Sequence, residues 1–294
     1  MPASRSVARV GDGLHAGPDA QVDDKSLLIM PTDPARTDPF LVLAEDWFSS
    51  PGFEWHPHRG LETVTLVVDG VLEHGDSLGN AGVLEAGDVQ WMTAGRGIIH
   101  RELAYRNERA HTLQLWLNLP AAARMADTRY QDVLAAARPR LTRPGAVIDV
   151  VSGTVDGVPG PALNHWPVQG VLVTLDPGAE LELPMPAADR AFVAVLDGAA
   201  AVAGRPVRAG QVAWSDPVAD AGPGAGSDAT SVLPLRAAAE TDRGARVMVY
   251  SGRPVGEPIV FGGPFVMNRA EEIEQAYREF RSGEFGPVPR LARL

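Results

Sequence analysis

Two short motifs carry the chemistry open to this sequence. Trp55-His56-Pro57-His58-Arg59-Gly60-Leu61-Glu62 holds two histidines two residues apart, and His100-Arg101-Glu102 holds a histidine and a glutamate at the same spacing. On a strand, residues i and i+2 project from one face. His56 and His58 therefore point together, Glu62 shares their parity, and His100 and Glu102 form a second pair. Two neighbouring strands would present three imidazoles and a carboxylate to one interior. Nitrogen and hard-oxygen donors without sulfur suit Fe(II), Mn, Ni, Co or Zn, and favour an open octahedral site over a closed structural one. A lone His-x-His is a weak signal. Here its company strengthens it: a second pair, an alternating strand between the two, and the turn Gly95-Arg96-Gly97 just before His100. His15, His74, His111 and His165 have no partner at ligand spacing and read as ordinary histidines.

Other chemistries find no footing. Gly95-Arg96-Gly97 is not followed by Gly-Lys-Ser/Thr, and no GxGxxG opens a helix. Ser77 near His74 and Asp76 lies in an expected turn without a G-x-S-x-G elbow. Trp91 and Met92 either line a pocket or fill the core.

The elements that must position the motifs are strands. Phe40–Leu43 is a short apolar run. Glu62–Val68 alternates, with Glu62, Val64, Leu66 and Val68 on one face and Asp69-Gly70 as a hairpin signal at its end. Ser77–Gly82 and Ala86-Gly87-Asp88 mark further turns, and Leu113–Leu119 is another strand. Short strands with Gly-rich turns predict an all-β sandwich or barrel. Pro120–Ala137 is Ala-rich and predicts a helix. Arg138–Gly145 contains two prolines and predicts a linker. A second β-rich stretch runs from about Ala146 to Val260 and includes a polar loop, Asp220–Ser231. In the tail, Asn268 as N-cap with Glu271 three residues on predicts a helix. Ile273, Ala276, Tyr277 and Phe280 form its buried face, and Gly283 closes it. The expected organisation is a barrel over 1–137, a linker over 138–145, a barrel over 146–266, and a helix and tail over 267–294.

The 294 residues allow two domains at roughly 100–200 residues each. No run of about 18 apolar residues exists to span a bilayer, and the N-terminus has no apolar h-region. Cysteine is absent, which removes disulfides and thiolate chemistry. The net charge of −11 argues against direct binding to a phosphate backbone. A soluble cytoplasmic protein is the expectation. Lys25 is the sole lysine among 26 basic residues.

The motifs are long enough to carry a resemblance. His56–Thr65 (HPHRGLETVT), Gly87–His100 (GDVQWMTAGRGIIH) and Leu113–Pro120 (LQLWLNLP) resemble the pirin family of the cupin superfamily. Asp38–Leu43 (DPFLVL), Arg129–Asp132 (RYQD) and Gly263–Asn268 (GPFVMN) do so as well. The similarity runs from near the N-terminus to about Gly286. It implies an all-β bicupin fold, two β-sandwich barrels face to face, with one iron in the N-terminal barrel on the residues matching His56, His58, His100 and Glu102. It makes Glu62 a partner that orients a ligating imidazole. Leu61 stands where the family usually has Phe. Arg101 separates the last two ligands where a small residue is common, and alternation turns it away from the metal.

The second half echoes the first. Aligning Asp197-Gly198 with Asp69-Gly70 sets Pro184, Pro186 and Arg190 against His56, His58 and Glu62, so the second barrel is expected to hold no metal. Some pirins cleave the flavonol quercetin by 2,3-dioxygenation, and the resemblance implies the same activity here, with Glu102 taking the substrate proton. Other pirins are described as transcriptional co-regulators that bind partner proteins. That second implication is a redox-linked role through a protein partner, since an acidic, cysteine-free chain has no other evident sensor.

Overall fold

Period-two alternation punctuated by Gly and Pro yields a chain that is 56% strand and 9% helix. The computed structural model describes residues 2–49, 52–218, 229–239 and 243–288. The chain divides into two compact units, neither contiguous in sequence: Leu14–Ala135 with Val255–Leu294, and Ala136–Pro254 with Met1–Gly13. The expected ranges 1–137, 146–266 and 267–294 are contiguous, whereas each of these units gathers two stretches of chain. Among the described residues, no helix is long and apolar enough to cross a membrane.

The first unit is a cupin barrel built on nine main strands. They are β1 (Asp24–Ile29), β2 (Phe40–Phe48), β3 (Phe53–His58), β4 (Leu61–Asp76), β5 (Ala81–Glu85), β6 (Val89–Thr93), β7 (Ile98–Ala104), β8 (Ala110–Asn118) and β9 (Arg129–Val133). The main path runs β9-β6-β4-β8-β2-β1, while β7 pairs with β3 and β4, and β5 with β4. β4 is long enough to serve both sides. Its Asp69-Gly70 is no hairpin turn but lies inside a continuous strand, just after a bulge at Val68, with Gly70 at φ 78°. A Cβ there would sit 1.8 Å from the Arg109 carbonyl, so only glycine lets the strand turn this corner.

Pro120–Ala137 is not a helix. Two single 3₁₀ turns, Ala121–Ala123 and Ala135–Ala137, flank β9, which pairs along β6. A free sheet edge outweighs alanine's helix propensity, which is at most a few tenths of a kcal/mol per residue over its common competitors.

The second unit repeats the plan with β10 (Ala146–Ser152), β11 (Val168–Leu175), β12 (Glu180–Pro186), β13 (Arg190–Val202), β14 (Arg205–Arg208), β15 (Gln211–Ser215), β16 (Thr230–Ala237) and β17 (Ala245–Gly252). Arg138–Gly145 is not a free linker. Arg140–Arg143 pairs with β10 around Pro144-Gly145, with Gly145 at φ 66°, a Pro-Gly turn rather than a break. Ala3–Ser4 and Arg9–Asp12 add to β16 and β15. The buried Arg5 guanidinium between them donates to Ser215 Oγ, Ser231 Oγ and three carbonyls, which explains why the N-terminal residues belong to this unit. Most of the expected Asp220–Ser231 loop lies outside the described residues.

The tail returns to the first unit as a hairpin, Val260–Gly262 with Phe265–Met267, and a helix, α1 (Ala270–Arg281). Ile273 and Ala276 are buried with Phe265, Met267 and Phe285, as the helical spacing predicts. The cap differs by one residue. Glu272, not Glu271, accepts the backbone N–H groups of Asn268 and Arg269 at 3.1 and 3.0 Å. Asn268 is occupied elsewhere, accepting from Arg124 and donating to the Pro258 carbonyl.

Candidate metal centre

β3 and β7 run antiparallel with His56 opposite His100 and His58 opposite Ile98. Strand alternation then turns all three imidazoles to the barrel interior, where their donor atoms lie within 4.8 Å of one another. Ring centroids are 4.3 Å apart for His56 and His100, and 5.0 Å for His58 with each of the others. His58 and His100 are buried, and His56 is partly exposed.

Two of the rings are oriented by carbonyls, which can only accept. His56 Nδ1–H donates to Glu54 O at 2.7 Å, and His58 Nδ1–H to Pro264 O at 3.2 Å. That fixes both tautomers and leaves each Nε2 with its lone pair facing inward. His58 Nε2 and both nitrogens of His100 have no hydrogen-bond partner. Buried polar atoms without partners are uncommon, and a cation is what such lone pairs fit. Burial, reinforced by the neighbouring His56, pushes the His58 and His100 pKa values well below the imidazole norm. They are neutral donors at pH 7, the state a metal ligand needs.

The register slips by one residue between His100 and Glu102. The Glu102 carboxylate is fixed by two donors, Thr65 Oγ1 at 2.9 Å to one oxygen and Gln114 Nε2 at 2.7 Å to the other. Trp116 Nε1 in turn donates to Gln114 Oε1 at 3.0 Å. Arg101 points the other way, bonding buried Glu73 and lying over Trp55.

Glu62 does not share the interior face. Thr65, three residues on, bonds Glu102, whereas the Glu62 oxygens accept from Thr93 Oγ1 at 2.7 Å and Trp91 Nε1 at 3.0 Å. The reason is local: Gly60, at φ 78°, resets the parity between β3 and β4. Glu62 therefore braces β4 against β6, and Trp91 and Met92 are fully buried core.

Sequence reading passed over several neighbours of the site. The Pro264 carbonyl has no side-chain signature at all. Thr65 and Gln114 were visible only as polar interruptions of apolar strands. His74 is fully buried, its ring 5.6 Å from that of His100; its i, i+2 relation to Asp76 was the available clue. Asp46 is buried with Oδ1 3.7 Å from Lys25 Nζ, and that ammonium lies 5.1 Å from the Phe53 ring. Burial raises Asp46 to about 7, against the pull of Lys25 and with a further push from Glu102.

Residues 17–117 match the pirin family and residues 170–286 the pirin C-terminal cupin domain. Pirin-1 of Arabidopsis thaliana is 37% identical over 86% of this chain and 85% of its own length. The chain belongs to the pirin family. A Pseudomonas aeruginosa relative, provisionally named quercetin 2,3-dioxygenase, is 39% identical over 96% of this pirin and 99% of its own length. The crystal structure of a quercetin 2,3-dioxygenase from Acinetobacter baumannii superposes with a TM-score of 0.83 at 28% identity, covering 98% of this chain and 100% of that one. The fold is thus a bicupin.

The second cupin barrel shows what became of the ligand positions. β12 and β16 pair Leu183 with Leu233 and Met185 with Ser231, alternating with Pro184 opposite Val232 and Pro186 opposite Thr230. Three residues join β12 to β13 where two join β3 to β4, and of the expected equivalents Pro184 is half-buried. Pro186 is exposed, while Leu183, Met185, Leu233 and Leu235 belong to the apolar core.

Proposed function

We propose that this pirin is a mononuclear iron-dependent flavonol 2,3-dioxygenase of the quercetin-cleaving kind. His56, His58, His100 and Glu102 are its metal ligands, and Glu102 is also its base. The observation that carries the reading is the convergence of three imidazoles, two of them with buried, unpartnered nitrogens; the Glu102 carboxylate, two residues from His100, is held by Thr65 and Gln114. The names of the Pseudomonas and Acinetobacter relatives support the substrate class. Three nitrogens and one carboxylate, without thiolate, suit Fe(II) and accommodate Mn, Ni, Co or Zn.

Iron held there supplies open coordination positions and a redox-active centre for dioxygen. The chain's own residues do the rest. The carbonyls of Glu54 and Pro264 hold two imidazoles in their binding tautomers. Glu102, fixed by Thr65 and Gln114, takes the proton of the flavonol 3-hydroxyl and holds it as the enolate forms. Substrate approaches past His56, the most open of the three rings, where Phe53 offers an aromatic face and Lys25 a positive charge. Orienting the enolate and O₂ side by side replaces a bimolecular encounter. Flavonol plus O₂ gives the ring-opened ester plus carbon monoxide, so no outside reductant is needed.

The test is metal per chain by elemental analysis, with quercetin loss followed with and without oxygen on the same sample. Near one iron per chain with oxygen-dependent loss is the expected result. Loss that continues anaerobically overturns the reading. One iron without turnover shifts the assignment to a redox-linked regulator that binds a protein partner.

A further inference from the structure

His56 and His58 each give their second ring nitrogen to a carbonyl, and His100 does not. Neither of its nitrogens has a hydrogen-bond partner, and the residue is fully buried. One nitrogen can serve a metal, which leaves an N–H stranded, and ligating histidines almost always donate that second N–H. The groups beside it come from β4. The β7–β4 register sets His100 opposite Asp76 and Glu102 opposite His74. The His74 ring lies 5.6 Å from that of His100 and stacks on Tyr130 at 4.5 Å with 24° between planes, so its orientation is fixed. His74 Nε2 faces Asp76 Oδ2 at 3.6 Å, beyond hydrogen-bond length, and neither ring nitrogen of His74 has a hydrogen-bond partner. Asp76 is anchored in turn by the N–H groups of Leu78 and Asn80 at 2.9 and 3.0 Å and by Asn80 Nδ2 at 2.8 Å. With the Asp76 carboxylate on the Nε2 side of the ring, the favoured tautomer carries its proton on Nε2 and leaves Nδ1 as an acceptor.

We propose that His74 is a positioning residue for the metal centre, accepting from the second ring nitrogen of His100, directly or across one ordered water, and linking that ligand to Asp76. The chain Asp76–His74–His100 makes the ligand imidazole more electron-rich and fixes its plane. It acts on metal affinity and on the ease of oxidising bound iron, and touches no substrate. The inference rests on His100 being a ligand.

The experiment uses full-length protein loaded with ferrous iron. Iron affinity is measured by competition with a chelator, and the Fe(III)/Fe(II) midpoint potential by spectroscopic titration. H74F is expected to weaken iron binding about 10- to 100-fold and to raise the midpoint potential, because a less basic ligand favours the ferrous state. H74Q, whose amide oxygen still accepts, recovers part of both. D76N raises the potential with a smaller change in affinity. If H74F does not fold, H74Q and D76N are judged by the same two quantities. Unchanged affinity and potential in the folded variants overturn the inference. H100A separates the two readings: if it binds iron as the unaltered chain does, the ligand assignment itself has failed. If H100A loses iron while the His74 and Asp76 variants match the unaltered chain, only the linkage has failed.

Discussion

His58 Nδ1 donates to the carbonyl of Pro264, 206 residues downstream. The contact is held in place from the adjoining residues. Arg59 Nε donates to Arg96 O at 2.7 Å, its guanidinium pairs with Glu279 on α1 at 2.5 Å, and it lies 4.4 Å from the Phe285 ring centroid. Gly60 follows at φ 78°, where a Cβ would stand 1.9 Å from Val266 O. Releasing this clasp should loosen His58. E279Q is expected to weaken metal binding about tenfold, and G60A more, in line with the cost of losing a ligand's hydrogen-bond partner. Metal release to a chelator, followed by absorbance, measures both.

Replacing His56, His58 or His100 singly with alanine should abolish tight metal binding while the far-ultraviolet spectrum of the apo-protein is kept, because the apolar faces of the barrel carry its stability. H165A, at an exposed position in the other unit, should bind as the unaltered chain does. Elemental analysis of the four purified variants decides this.

Glu102 has both a charge and a fixed position, and the two can be separated. E102Q removes the base and should lower flavonol turnover by about 100-fold or more, the range of a lost general base. Q114L keeps the carboxylate but removes one charge-assisted hydrogen bond of about 1.5–3 kcal/mol. Turnover should fall by about 10- to 100-fold with iron content retained. Single-turnover rates on iron-loaded samples measure each.

Acid should destabilise the apo-protein. His58 and His100 stay neutral when folded because burial holds their pKa values down, while the unfolded chain protonates them below about pH 6.5. The unfolded state then binds more protons, and stability falls as pH drops through that value, by up to about 1.4 kcal/mol per pH unit for each group. Asp46 has the opposite sign. Raised to about 7, it favours the folded state at low pH, and that contribution is lost as pH rises from about 4 through 7. Urea melts between pH 5 and 8 should show H58L/H100L flattening the loss below 6.5, and D46N flattening the loss up to 7.

What could be read from sequence was whatever depends on neighbours along the chain. The convergence of His56, His58 and His100 follows from strand period, and α1 from its helical spacing. Parity failed at Gly60, where one glycine in the left-handed region turned Glu62 to the opposite face. Asp69-Gly70 has the composition of a hairpin turn, and only long-range pairing with His111 and Ala110 keeps it inside a strand. β9 forms because β6 has an edge to fill, which an Ala-rich stretch cannot announce. Pro264 and His74 act through a backbone carbonyl and a stacked ring, contacts made by folding rather than by motif.

The unit that holds the three histidines is completed by residues 255–288, which are synthesised after the whole of the other barrel. At about 5–20 residues per second, the ribosome reaches Pro264 roughly 10–40 s after it has made His58. A nascent chain stalled inside the second barrel carries all three histidines yet lacks the carbonyl, the arginine clasp and the helix that seat them. Under the proposed ligand assignment, metal loading follows synthesis of residues 255–288, because a fragment that stops short of them lacks the Pro264 carbonyl that orients His58.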